Sequence, residues 1–325
     1  GAVAPPRPEQ WYAPRVISRS RARRWPAGAA AALGSLACAG LRADPDRLGP
    51  LEYAPGDPEP PPLTCALGAG DPGCAPPQVL IVLDRSTSMV ARPDGTVPPD
   101  TATALEESKW RLAIDAIENV VTSEVAAGVA FGLEIFPRDP GEGGCATLEA
   151  VLERSPRLTA ACRQGSLLVA PCVGENSAVA SALDVETDTL CGDTPIAGAL
   201  EVARDTLGAM RDPAQEQFVL LVTDGGDTCD WQTTAVEIAW ELSRASVETF
   251  AVGFGGYGVD PFVLSDLACA GGTATDADTA CVVDEDGDAR WDPEAPFPFL
   301  LAEDGLALEA AISEIAVQVG CVVIR

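Results

Sequence analysis

The chain has 325 residues, 47% of them hydrophobic, which is enough to bury one large core. Its 49 acidic and 21 basic residues give a formal net charge of −28, which argues against nucleic-acid binding because few cations could neutralise the phosphates. The sequence contains no histidine, which excludes Ser-His-Asp and Cys-His catalysis and His-ligated zinc. We therefore predict that the protein is not an enzyme.

Residues 1–38 are predicted to be an export signal. A cluster of five arginines precedes an apolar run, Pro26 to Ala37, that is too short to span a bilayer but suits a secretory signal. The run ends at Cys38 in a pattern that resembles a bacterial lipoprotein signal, and both lipidation of Cys38 and simple cleavage near Ala37 or Ala39 stay open. We expect an exported bacterial protein, either in the periplasm or held by lipid at the outer membrane or cell surface, with no other membrane contact.

Residues 39–77 are rich in Pro, Gly and Asp, which do not continue a helix or a central strand. Such a composition is typical of an extended segment. We predict a tether that holds the following domain away from a membrane surface.

Eleven cysteines are scattered along the chain, without the close spacing of zinc or iron–sulfur sites. Dispersed cysteines of this kind indicate disulfides formed in an oxidising compartment. Setting Cys38 aside leaves ten, enough for five disulfides. We expect the local pairs Cys65–Cys74 and Cys269–Cys281, whereas the pairing of the other six cysteines is open.

The residues from 78 onward alternate apolar strand patterns with amphipathic helix patterns. Strands are predicted over residues 79–83, 129–136, 166–170, 218–222 and 247–252, and helices over residues 103–121, 194–210, 235–243 and around 308–315. Thr194 is assigned to the N-cap of its helix and Pro195 to the first helical position. The alternation predicts one α/β domain over residues 78–325, with an open, doubly wound, mostly parallel Rossmann-like sheet and helices on both faces. Disulfide-fixed insertions are expected over residues 145–191 and 269–298.

Oxygen-bearing side chains follow two of the predicted central strands. Asp84, Ser86 and Ser88 come directly after the first strand, and Asp224 follows the strand over residues 218–222. In doubly wound sheets, ligands bind beyond the carboxyl ends of the strands. Carboxylates and small hydroxyls are the donors that Mg²⁺ or Mn²⁺ selects. An isolated Asp-x-Ser-x-Ser can also be a simple turn, as Thr194-Pro195 can be a simple helix cap.

These residues strongly resemble the metal-ion-dependent adhesion site of the von Willebrand factor type A (VWA) domain family. Asp84, Ser86 and Ser88 match its Asp-x-Ser-x-Ser, Thr194 in Thr-Pro-Ile matches its threonine, and Asp224 in LLVTDGG matches its last aspartate. The resemblance implies that Ser86, Ser88 and Thr194 contact the metal directly and that the two aspartates act mostly through waters. It also implies an open coordination position, which a carboxylate from a partner protein can fill.

The resemblance thus implies an exported, metal-dependent protein-binding module of the adhesion type. The alternative is a structural or assembly component of a cell-envelope complex, in which the metal only stabilises the domain. A metal-dependent hydrolase is disfavoured because no nucleophile-plus-base pair accompanies the site.

A second acidic cluster contains Asp284, Asp286 and Asp288 beside a glycine and resembles part of a calcium loop. It lacks the first ligand and the terminal glutamate of a full loop, and a solvated turn is the alternative. Ca²⁺ is therefore a second candidate ion. Asp227 and Asp230 are expected to support the first site or to be solvated, rather than to bind its metal.

Tryptophans divide into two predicted groups. Trp110 and Trp240 fall on apolar helix faces and are assigned to the core. Trp231 and Trp291 lie in acidic loops and are candidates for exposed contacts.

Overall fold

The computed structural model of the chain describes residues 75–139, 144–153, 162, 164–185, 189–229 and 233–320. The export signal, Cys38, the Cys65–Cys74 pair, most of the tether, Asp230 and Trp231 lie outside the described residues. In the part that the structure describes, none of the helices is long and apolar enough to cross a membrane.

A six-stranded sheet forms the centre of the domain. In chain order the strands are β1 (Gln78–Asp84), β2 (Ala130–Phe136), β3 (Cys145–Thr147), β4 (Ser166–Val169), β5 (Thr189–Cys191), β6 (Gln217–Thr223), β7 (Val247–Phe254), β8 (Cys281–Val283), β9 (Ala289–Trp291) and β10 (Leu300–Ala302). The sheet order is β10-β7-β6-β1-β2-β4, and every neighbouring pair is parallel except β2 with β4. All residues of β1, β2 and β6 are buried, as expected for strands that are covered on both faces.

Helices cover both faces of this sheet. In chain order they are α1 (Thr101–Glu107), α2 (Lys109–Val121), α3 (Leu148–Leu152), α4 (Asn176–Val185), α5 (Ile196–Ala209), α6 (Ala235–Arg244), α7 (Pro261–Ala270), α8 (Ala277–Ala280) and α9 (Gly305–Val319). Helices α2, α4 and α9 pack on one face, and α5, α6 and α7 pack on the other. The predicted fold class, a doubly wound α/β domain of the Rossmann-like type, is confirmed.

The helix predicted over residues 103–121 is two helices that meet at Ser108. Ser108 has extended backbone angles, φ −69° and ψ 150°, and its hydroxyl accepts the N–H of Arg111 at 3.2 Å, so it caps α2. Serine is favoured at N-cap positions because its hydroxyl can accept a free backbone N–H. The helix is therefore interrupted at Ser108, although the apolar pattern continues through it. The break makes Lys109 the first residue of α2 and brings it to the edge of the sheet.

Disulfides fix the insertions that were predicted from the cysteine pattern. The described residues contain the bonds Cys145–Cys191, Cys162–Cys229 and Cys269–Cys281, and the last confirms the predicted local pair. Cys145–Cys191 joins β3 to β5, and Cys162–Cys229 attaches the same insertion to the loop that follows β6. Cys172 is also disulfide-bonded.

The tryptophan predictions are only partly correct. Trp110 and Trp240 are buried, as predicted. Trp291 was expected to be exposed, but only 8% of its surface is accessible because it packs against Phe262 and Phe297. Its backbone N–H also donates to Asp266 at 3.0 Å, which fixes the second insertion on α7.

Candidate metal centre

The candidate site lies at the carboxyl ends of β1 and β6, which are neighbours in the sheet. The chain leaves β1 towards β2 on one side and leaves β6 towards β7 on the other, so the order of the strands reverses between them. A crevice forms at such a switch point because the two connections diverge. Asp84 is the last residue of β1, and Asp224 directly follows β6.

Asp84 is fully buried beneath this crevice, and both of its carboxylate oxygens accept hydrogen bonds. Oδ1 accepts the backbone N–H of Ser86 at 2.7 Å, and Oδ2 accepts the hydroxyl of Thr223 at 2.6 Å. Burial, followed by the neighbouring Asp224 carboxylate, raises the pKa of Asp84 to about 7. Asp84 therefore holds the loop after β1 in place from below.

Three of the predicted residues form one hydrogen-bonded chain above Asp84. The hydroxyls of Ser86 and Ser88 share a hydrogen bond of 2.7 Å, and the Ser88 hydroxyl donates to Asp224 Oδ1 at 2.7 Å. Ser88 lies in a 3₁₀ turn, Thr87–Val90, whose residues Met89 and Val90 are buried in the core. The turn thereby directs the two serine hydroxyls towards the carboxylate that follows β6.

Thr194 is held at the site by hydrogen bonds to Thr228, in the loop after β6. The prediction that Thr194 is the N-cap of its helix is wrong. Its N–H donates to Thr228 Oγ1 at 2.7 Å, and its carbonyl accepts the N–H of Thr228 at 3.1 Å. The N-cap of α5 is Pro195, which has no side-chain cap. The expectation failed because a residue that is distant in sequence, Asp227, accepts the free N–H of Ala197 at 2.8 Å instead.

Asp227 connects two segments beside the site, and whether it supports a bound metal stays a prediction. Its second oxygen accepts the N–H of Cys229 at 3.0 Å, so one carboxylate connects the loop after β6 to the start of α5. Burial raises the pKa of Asp227. The disulfide at Cys229 fixes the far end of the same loop.

The predicted residues line a pocket of about 490 Å³. Ser86, Ser88, Thr194 and Asp224 contribute to its wall, and the buried Asp84 is joined to this wall through the N–H of Ser86. Tyr257, which is 69% exposed, stands at the rim. Two buried carboxylates and three hydroxyls form a set of hard oxygen donors, and this set fits a divalent cation such as Mg²⁺ or Mn²⁺.

Sequence reasoning missed two residues of this site, Thr223 and Lys109. Thr223 is the only hydroxyl residue within β6, and its position opposite Asp84 depends on strand register. Lys109 forms an ion pair with Asp224 Oδ2, and the two side chains are 3% and 0% exposed. One feature of the sequence could have drawn attention to Lys109: it is the single lysine of the chain.

The acidic loop over residues 284–288 is arranged differently. One oxygen of Asp284 accepts the backbone N–H groups of Asp286 and Asp288 at 3.0 and 2.9 Å. Asp288 pairs with Arg244. Among the described residues, no three His, Cys, Asp or Glu side chains are grouped so that they could hold a metal ion, and the first site has only two carboxylates beside its hydroxyls. Calcium at this loop stays a prediction.

No protein-family model and no curated protein match the sequence. Similar solved structures include proximal thread matrix protein 1 from the mussel byssus with a zinc-occupied MIDAS motif, at 13% identity and a TM-score of 0.44, covering 76% of this chain and 48% of that one. The PilB minor pilin of Streptococcus sanguinis matches at 13% identity and a TM-score of 0.47, covering 76% of this chain and 62% of that one. Manganese-loaded TRAP of Plasmodium vivax matches at 16% identity and a TM-score of 0.43, covering 75% and 74%.

This chain spans about half the length of the mussel protein. All three similarities are distant, and none assigns a function to this chain.

Proposed function

We propose that this chain is an exported VWA-type domain that binds a partner protein through a divalent cation. The observation that carries the proposal is the convergence of three separate chain segments on one pocket. These segments supply Asp84, Ser86 and Ser88 after β1, Thr194 before α5, and Asp224 after β6. A simple turn after β1 would not require the other two segments to meet it.

The hydroxyls of Ser86, Ser88 and Thr194 would hold the cation directly, and Asp84 and Asp224 would hold it mostly through water. The hard oxygen donors favour Mg²⁺ or Mn²⁺ over softer metals. A bound divalent cation supplies a positive centre to which a carboxylate of a partner can bind. The protein itself positions the donors, because each is anchored by backbone or side-chain hydrogen bonds.

Binding rather than catalysis is the function that these residues support. The Ser88 hydroxyl donates to Asp224, whose other oxygen is paired with Lys109. A serine nucleophile would need a base that can accept its proton, and a carboxylate that is already paired with an ammonium group is a weak one. We therefore propose an adhesion-type contact without turnover.

The proposed location follows from the disulfides and from the leading residues of the sequence. The described disulfides are typical of an oxidising compartment, which is consistent with export. Under the proposal, residues 1–38 direct export, Cys38 carries a lipid, residues 39–77 are the tether and residues 78–325 are the binding domain. The rival role, an envelope assembly component stabilised by metal, would predict partner binding that continues after the metal is removed.

Calorimetric titration of Mg²⁺ and Mn²⁺ into the EDTA-treated, dialysed protein tests the proposal. We expect saturable binding by the wild type and none by the double variant Ser86→Ala/Ser88→Ala. The matched control is Ser177→Ala/Ser181→Ala, because these serines are exposed on α4 and lie away from the pocket. Equal binding by the wild type and the Ser86→Ala/Ser88→Ala variant would refute the site.

A further inference from the structure

Lys109 places a buried positive charge at the candidate metal centre. Its ammonium group pairs with Asp224 Oδ2, while Asp224 Oδ1 accepts the Ser88 hydroxyl. Both charged side chains are almost entirely removed from solvent. This is therefore not a surface ion pair, whose contribution would be small, but a buried pair in which each charge depends on the other.

The backbone around Lys109 is built to deliver this side chain. Lys109 is the first residue of α2, where the helix dipole disfavours a cation, so its position there needs a compensating contact. Its N–H donates to the carbonyl of Ala91 at 2.8 Å. The aliphatic stem passes Gly255, which has φ +100° and where an added Cβ would lie 2.9 Å from Lys109 Cδ. A larger residue at position 255 would therefore obstruct the path of the lysine.

The charges at the site explain what the ammonium group does. Asp84 and Asp224 are both buried, and a buried carboxylate without a cation is costly. Lys109 offsets part of this cost through its pair with Asp224. A divalent cation would use the same carboxylate, so it would either displace the ammonium group or bind beside a like charge.

We propose that Lys109 is an internal cation that competes with the divalent metal for Asp224. The ammonium group holds the metal-free site together and lowers its affinity for the metal. When the metal binds, Lys109 leaves Asp224 and enters the open pocket. This inference rests on the proposed function and concerns how the affinity of that same site is set.

Lys109→Met in the full chain provides the first test, because methionine keeps an unbranched stem but removes the charge. In the same calorimetric titration, we expect Mn²⁺ to bind about tenfold more tightly or better, a change of ~1.4 kcal/mol. In EDTA, the melting temperature of the variant should fall by about 4 °C or more. The matched control is Arg111→Gln, which removes a positive charge from the partly exposed Arg111–Asp115 pair on the same helix and should leave both values unchanged.

Unchanged or weaker Mn²⁺ binding by Lys109→Met would overturn the inference while leaving the proposed function intact. Failure of the wild type to bind Mg²⁺ and Mn²⁺ would instead refute the proposed function, and this inference with it.

A second measurement uses the wild type and does not depend on the folding of any variant. Lys109 is the single lysine of the sequence, so its acetylation by acetic anhydride can be followed in one peptide by mass spectrometry. We expect slow acetylation in EDTA and at least tenfold faster acetylation with saturating Mn²⁺, because the buried ammonium group is released. Ser86→Ala/Ser88→Ala should show no Mn²⁺ effect. An equal or slower rate with Mn²⁺ in the wild type would overturn the inference.

Discussion

The sequence offers two candidate metal-binding regions, and the structure arranges them in opposite ways. At the edge of the sheet, Asp84 and Asp224 are buried, and hydroxyl groups from other segments converge on them. In the loop over residues 284–288, Asp284 accepts hydrogen bonds from its own loop and is exposed. The two regions therefore differ in the burial of their carboxylates and in whether oxygen donors from separate segments converge on them.

The largest expected difference between the two regions is in metal binding. Asp224→Asn removes a buried carboxylate of the candidate centre, and we expect the affinity for Mn²⁺ to fall about a hundredfold or more. Asp284→Asn changes a carboxylate of the other region and should leave the Mn²⁺ affinity unchanged. Isothermal titration calorimetry of both variants measures their Mn²⁺ affinities. A similar loss of affinity in the two variants would contradict the predicted difference between the regions.

A third carboxylate, Glu134 on β2, extends the comparison, because it is fully buried and no partner for it lies within the described part of the chain. Among the described residues, neither of its oxygens has a hydrogen-bond partner, and burial raises the pKa of Glu134 well above its usual value. Glu134→Met should increase the free energy of unfolding at pH 7 by about 1–3 kcal/mol, because an unsatisfied polar group is removed. Urea denaturation of the variant and the wild type measures this difference, and a destabilised variant would contradict the account.

The same glutamate predicts a pH dependence of stability. Because its folded pKa is raised, the unfolded chain releases the proton above about pH 4.5 while the folded protein keeps it. The contribution of Glu134 to stability is therefore complete below that pH and is lost as pH rises towards the folded pKa. Urea midpoints between pH 4.5 and 8 should fall less steeply in Glu134→Gln than in the wild type. Parallel profiles would show that Glu134 does not titrate in this way.

A smaller effect is expected at Thr223, which connects the two central strands beneath the pocket. Thr223→Val removes the hydroxyl that donates to Asp84 Oδ2 at 2.6 Å and keeps the size of the side chain. We expect the affinity for Mn²⁺ to fall about tenfold, because Asp84 loses the bond that orients it. The control is Thr279→Val in α8, where the hydroxyl donates to the carbonyl of Asp276 away from the site. Equal affinities in the wild type and Thr223→Val would show that Asp84 needs no such support.

The smallest effect is expected in the acidic loop itself. Asp288→Asn weakens the pair with Arg244, whose side chain is 56% exposed, and should change the free energy of unfolding by less than about 1 kcal/mol. If the loop binds no calcium, millimolar Ca²⁺ will shift the melting temperatures of the wild type and Asp288→Asn equally. A Ca²⁺-dependent shift that the variant loses would restore the calcium prediction for this loop.

The sequence predicted the features that depend on local pattern. Apolar runs identified the central strands, and the Asp-x-Ser-x-Ser was expected to follow the first of them, as it does. The start of α5 could not be predicted, because the free N–H of Ala197 is satisfied by Asp227 from another loop and not by Thr194. Lys109 and Thr223 were missed for the same reason, since each acquires its role from a partner more than 100 residues away. Trp291 was misassigned because its aromatic cover comes from Phe262 on α7 and from Phe297, which the sequence does not place beside it.

The most direct test of the metal centre is anomalous diffraction from crystals of the protein grown with Mn²⁺, recorded at the manganese absorption edge. The account predicts one strong peak between the hydroxyls of Ser86, Ser88 and Thr194, with the Lys109 ammonium group displaced from Asp224. A well-ordered site without a peak, and with the Lys109–Asp224 pair intact at saturating Mn²⁺, would contradict it.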